Sequence, residues 1–245
     1  MEEKRDVERF HKSRVKVAPD ASGRVRRRIH ISAHHPRATE STAEDARIIA
    51  IAGKYAAMST VRVYSLIKAA QYVNKNNIPG PAVVCGVGNG GSALALARAF
   101  RNAGETDREI WLYDTFDSER RHAQDDYTAP ISYVKAILAK RCPQYRQESF
   151  KFIKGMVEDT IPATIPPSIS VLHCDTDWYE STKHELIHLY PLLSFGGVLL
   201  VDDYGVWEGA RRATDEYFEE TCEPMLLNVI DHTGRIGVKT TGAEK

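Results

Sequence analysis

Two short apolar runs, each ending on a pair of aspartates, constrain this chain most. Val171 and Leu172 lead into Asp175 and Asp177, and the Val-Leu-Leu-Val run at 198–201 leads into Asp202 and Asp203. Short apolar runs bounded by turn residues read as buried strands. Side by side in a parallel sheet, they gather four carboxylates at one edge. That edge, beyond the carboxyl ends of the strands, is where open α/β sheets bind ligands. Four close carboxylates repel one another, so positive charge belongs among them, and a divalent metal is the first candidate.

The rest of the chain alternates strand and helix patterns. Residues 1–43 form a polar arm with a basic run, Arg24-Val-Arg-Arg-Arg28, and an isolated His34-His35 pair. Residues 44–245 read as one domain, opened by helices over 44–78, with Ser59 or Thr60 capping the second. Strands are expected at 82–85, 110–113, 150–153, 169–174, 198–201, 226–230 and 235–240. Helices are expected at 93–103, 131–138, 181–190 and 208–220, with Pro191 ending the third of these and Gly196-Gly197 forming a turn. The polar stretch 117–127 is a candidate lid. Strand–helix alternation means a doubly wound α/β sheet. The closing strand-Asp-His-Thr-Gly-strand hairpin makes the last of seven strands antiparallel.

Composition narrows the class. Thirty-three basic residues balance 33 acidic ones, which gives no general argument for nucleic acid or an anionic membrane as partner. No apolar run approaches the roughly 20 residues of a membrane span. The charged start has no signal-peptide core. Four widely spaced cysteines suit a reduced, cytoplasmic setting. If the chain self-assembles, a dimer is the expected form.

After the first strand come Gly86, Gly88 and Gly91, a G-x-G-x-x-G turn that opens a helix. Such a turn lets a nucleotide approach the backbone and the helix N-terminus. Asp114, ending the second strand, can accept hydrogen bonds from both hydroxyls of a ribose. These features suit NAD or S-adenosylmethionine equally. The antiparallel last strand and the acid cluster favour a class I methyltransferase (Rossmann-like). Hydride transfer has no need of carboxylates around a cation, whereas alkylation of a hydroxyl gains from a metal that acidifies it.

From about Tyr55 onward the chain resembles the macrocin O-methyltransferase family. The resemblance lies in Asn77-Ile-Pro-Gly80, Cys85-Gly-Val-Gly-Asn-Gly-Gly-Ser92, Tyr113-Asp-Thr-Phe116, Asp175-Thr-Asp-Trp-Tyr-Glu-Ser-Thr182 and Gly196-Gly-Val-Leu-Leu-Val-Asp-Asp-Tyr204. It departs at Val84, where the family usually has Glu, and at Gly88-Asn89, where the family has a bulky and basic pair. The resemblance implies methylation of a sugar or glycoside hydroxyl with S-adenosylmethionine and Mg²⁺. It implies metal ligands at Asp175, Asp202 and Asp203 and a general base at Asp177. His184 is a rival base, and His122 a weaker one. The expected cofactor contacts are Thr60, Gly86, Val87, Gly88, Asn89, Gly91, Ser92, Asp114, Ser118, Met156 and Asp175. Trp178, Tyr179 and Tyr204 are the expected substrate contacts. A catechol or phenolic methyltransferase and an NAD-dependent oxidoreductase are the alternatives.

Overall fold

The computed structural model describes residues 41–117 and 128–242. The basic arm before residue 41, the His34-His35 pair, Ser118, His122 and nearly all of the expected lid lie outside them. Helix α1 (Ala43–Ala52) opens with a capping box, in which Thr42 and Asp45 each accept the other's backbone N–H. Helix α2 (Thr60–Lys75) is capped by Ser59, whose hydroxyl accepts from the Arg62 N–H at 3.2 Å. Strand β1 (Ala82–Cys85) feeds α3 (Gly91–Asn102), and β2 (Ile110–Asp114) precedes α4 (Ile131–Arg141). Then come β3 (Phe150–Lys154), the short α5 (Val157–Thr160), β4 (Ile169–Cys174), α6 (Tyr179–Leu189), β5 (Leu193–Val201), α7 (Glu208–Thr221), β6 (Asn228–Val229) and β7 (Arg235–Val238).

The strands form one sheet in the order β3-β2-β1-β4-β5-β7-β6. The first five are parallel, and β7 runs antiparallel to both β5 and β6. The last strand is therefore antiparallel, as expected, and it sits inside the sheet rather than at its edge. Side chains alternate across the sheet. Val84, Val171, Val198 and Leu200 face the core that includes residues of α1 to α4. Val83, Cys85, Leu172, Cys174, Leu199 and Val201 face the core shared with α6 and α7. Nine of the twelve residues of α3 are buried, and its alanines let it lie close against the sheet.

Two local expectations change. Gly196-Gly197 is not a turn between helix and strand. Both glycines lie within β5, where the pairing with β4 jumps from Ile169↔Leu193 to Val171↔Val198. The extra residues are absorbed by an irregularity that needs φ +78° at Gly196, a conformation glycine adopts without penalty. Helix α6 starts at Tyr179 rather than near Ser181, with Trp178 as N-cap. Asp177 therefore immediately precedes the cap.

Candidate active site

The carboxyl ends of β1, β2, β4 and β5 open on one cleft with two lobes of about 350 Å³ and 320 Å³. Gly86, Asp114, Thr128, Asp175 and Asp177 line both lobes. The larger lobe adds Val87, Gly88, Asn89, Gly91, Ser92, Asp202 and Asp203, while Met156 and Trp178 line the smaller one. Most of the expected positions thus converge.

The glycine loop is shaped by left-handed backbone at Gly86 (φ +87°), Gly88 (φ +54°) and Gly90 (φ +90°). A Cβ on Gly86 would stand 2.1 Å from the carbonyl oxygen of Asp175, so the loop is pressed onto the end of β4. Gly86→Ala should lower the unfolding free energy by about 2–4 kcal/mol, combining φ strain with overpacking; urea denaturation measures this. Asp114 fixes the other side of the loop. One of its oxygens accepts from the N–H groups of Val87 (2.8 Å) and Gly88 (3.0 Å), the other from Phe116 N–H at 2.8 Å. Helix α3 has no side-chain cap; its first N–H, that of Gly91, donates to the Tyr55 carbonyl at 3.2 Å, and Gly91 and Ser92 line the cleft.

The four aspartates gather as the two strands require. The carboxyl of Asp175 hydrogen-bonds Asp202, and that of Asp203 hydrogen-bonds Asp177. Burial, then the charges of Asp202 and Asp203, pushes Asp175 well above the usual carboxylate range. Burial, then Asp202 and Asp177, pushes Asp203 up to about 8. Burial also opposes the charge of Asp202, but His173 and Arg62 beside it hold its pKa down. Crowded carboxylates are relieved by a proton or by a cation.

Arg62 supplies one cation. It reaches from the first turn of α2 onto the face that carries Leu200, and its guanidinium binds Asp202 and, at 3.2 Å, Asp231. Asp231 also accepts from the Ser59 hydroxyl at 2.5 Å and from the N–H groups of Thr233 and Gly234. Burial works against its charge, but these donors and Arg62 keep its carboxyl below the usual range. His173 is the other neighbour. Its ring is buried, with Nε2 3.6 Å from Asp202.

One donor atom each from His173, Asp175 and Asp202 lies within 4.8 Å of the other two. Two carboxylates and an imidazole that, among the described residues, has no direct hydrogen-bond partner and only Asp202 as a charged neighbour fit a divalent cation. Asp203 lies outside this group but against Asp202, so the expected Asp175, Asp202 and Asp203 stand together with His173 beside them.

Other expected residues do other work. Thr60 is exposed at the start of α2 and does not line the cleft; Tyr55, Ala56, Ala57 and Arg62 do. Tyr179 donates its hydroxyl to Glu216 at 2.5 Å beneath the Arg212 guanidinium. Tyr204 donates to Asp215 at 2.7 Å and lies against Arg235. Neither tyrosine lines the cleft. His184 contacts the Ile161 carbonyl through Nε2 at 2.8 Å and packs on His188, away from the aspartates. Trp178 is 65% exposed at the rim. Sequence reasoning missed Arg62, His173 and Asp231. A lone arginine on an apolar helix face, opposite a strand edge rich in acid, was the available signal for the first.

The profile of the family described as Macrocin-O-methyltransferase (TylF) matches residues 4–236, which extends across the basic arm. Demethyldecarbamoylnovobiocin O-methyltransferase of Streptomyces niveus is 30% identical over 186 residues, 71% of this chain and 71% of that protein. Mycinamicin III 3''-O-methyltransferase of Micromonospora griseorubida is 26% identical over 171 residues, 64% of this chain and 67% of that protein. The solved O-methyltransferase NovP is similar at a TM-score of 0.69 and 27% identity, covering 76% of this chain and 83% of that one.

Proposed function

The chain belongs to the macrocin O-methyltransferase family, and from that premise we propose that it methylates a hydroxyl of a sugar or glycoside. The methyl donor is S-adenosylmethionine, and a divalent cation, Mg²⁺ by family resemblance, assists. Family membership sets the dehydrogenase alternative aside. The observation that carries the proposal is the continuity of the cleft: the glycine loop with Asp114 and the aspartate cluster share one wall.

Each residue has a task in this scheme. The glycine loop and the N-terminus of α3 receive the polar end of the cofactor. Asp114 holds the loop and turns its carboxylate toward the ribose hydroxyls. Met156 and Val157 wall the smaller lobe. Asp175, Asp202 and Asp203 would hold the cation, as the family resemblance implies. Once bound, the cation would polarise the acceptor hydroxyl and lower its pKa. Asp177, with its carboxyl at the meeting of the lobes, takes the hydroxyl proton as the new O–C bond forms and the sulfonium S–C bond breaks. Trp178 offers a ring face on which a sugar can stack. Most of the acceleration comes from alignment, because the donor methyl group is already activated.

The test is incubation with S-adenosylmethionine, Mg²⁺ and a panel of glycosides, read by mass spectrometry for the gain of one methyl. Asp177→Asn should lower kcat by about 10²–10⁴-fold, the usual contribution of a general base. Full turnover by Asp202→Ala in EDTA would remove the cation from the scheme.

A further inference from the structure

His173 is buried near the end of β4 with one charged neighbour, the Asp202 carboxylate. It is the penultimate residue of β4, registered between Val84 on β1 and Leu200 on β5. It is 1% exposed, and neither Nδ1 nor Nε2 has a hydrogen-bond partner among the described residues. A buried polar atom without a partner is costly, so such a ring calls for a ligand. Strand alternation aims it at the same face as Asp175, two residues on, and toward Asp202 beyond Leu200.

The spacing is that of shared coordination rather than of a hydrogen bond. Nε2 stands 3.6 Å from Oδ1 of Asp202, too far for a direct bond. Two donors held about 2.0–2.2 Å from one ion lie roughly 3–4.4 Å apart, depending on the angle between them. Arg62 takes the other oxygen of Asp202, Oδ2, and so leaves Oδ1 turned to the imidazole. The guanidinium and an ion can therefore use the same carboxylate at once.

We infer that His173 is a nitrogen ligand of the metal centre, and that the centre prefers an imidazole-accepting dication such as Mn²⁺ to Mg²⁺. The inference depends on the metal-assisted scheme above and sharpens its choice of ion. Mg²⁺ favours an all-oxygen shell and keeps its waters, whereas imidazole suits first-row transition ions. The buried ring thus sets which ion is retained, and the carboxylates supply the compensating charge.

The full chain, stripped with EDTA and dialysed, is titrated with Mn²⁺ under electron paramagnetic resonance, and the bound ion is examined by electron spin-echo envelope modulation. The expected result is one bound Mn²⁺ with ¹⁴N modulation from a coordinated imidazole. The modulation should be lost in His173→Asn. That variant should bind Mn²⁺ at least about tenfold more weakly, the lower end of what outer partners of metal ligands cost, with a smaller change for Mg²⁺ in competition. Bound Mn²⁺ without ¹⁴N modulation in the unaltered protein overturns the inference and leaves metal assistance standing. Failure to bind Mn²⁺ or Mg²⁺ at all overturns both. The spectrum of the unaltered protein decides the matter even if the variant does not fold.

Discussion

Arg62→Gln should unfold about 3–5 kcal/mol more easily than the unaltered protein in EDTA, the usual consequence of stripping one partner from a buried ion pair. Arg62 is 9% exposed, and the Asp202 and Asp231 carboxylates that it bridges are each only 7% exposed in their side chains. Glutamine preserves much of the shape and removes the charge, leaving two buried carboxylates without their shared cation. The deficit should shrink when a divalent ion is added, because an ion held by Asp202 takes over part of the neutralisation. Saturation at 100 times Kd supplies about 2.7 kcal/mol. Urea melts of both proteins, with EDTA and with Mn²⁺, measure the four stabilities. Equal losses with and without the ion would mean that Arg62 and the cation do not share Asp202.

Glu185→Gln should have the opposite sign and stabilise the protein. Glu185 lies in α6, fully buried, with Oε1 accepting from the Thr176 hydroxyl at 2.9 Å. Burial pushes its carboxyl up to about 8 from 4.5; the hydrogen bonds from Thr176 and Cys174 pull the other way, and Glu158 adds repulsion. Below pH 4.5 the acid is protonated in both the folded and unfolded chains and has no effect on stability. Between 4.5 and about 8 only the unfolded chain ionises, so stability falls as pH rises, and the fall is complete once the folded carboxyl also ionises. At pH 7 the penalty is roughly 3 kcal/mol. Glutamine cannot ionise and keeps an acceptor for Thr176. The stability gap should therefore be near zero at pH 4.5 and widen up to pH 8. Parallel stability curves for the two proteins across that range would show that Glu185 is not the group responsible.

What could be read from the sequence was local. Apolar runs ending in aspartates locate β4 and β5, and the glycine turn and Asp114 locate the ends of β1 and β2, because each signal lies within a few residues of its consequence. Gly196-Gly197 misled because glycine marks both turns and strand irregularities, and only the register with β4 separates them. The start of α6 is hidden in the sequence because Trp178 caps without a side-chain acceptor, leaving no Ser, Thr, Asp or Asn at that position. Arg62, His173 and Asp231 were illegible for a different reason. Arg62 takes its meaning from Asp202, 140 residues on, Asp231 from Ser59, 172 residues back, and His173 from Asp202 across the sheet; a lone charge or imidazole in an apolar pattern does not announce its partner. The need for positive charge among the aspartates was legible; that α2 would deliver part of it was not.

The bond between Ser59 and Asp231 joins residues 172 positions apart, and this has a consequence for biogenesis. As the chain leaves the ribosome, α2 and both aspartate pairs emerge well before Asp231. Until the hairpin of β6 and β7 follows, Arg62 lacks its second carboxylate and Ser59 its acceptor. Domains take shape as they are synthesised, and incompletely packed intermediates are the species prone to misassembly. The electrostatic closure of this cleft is therefore completed only once β6 and β7 have been made.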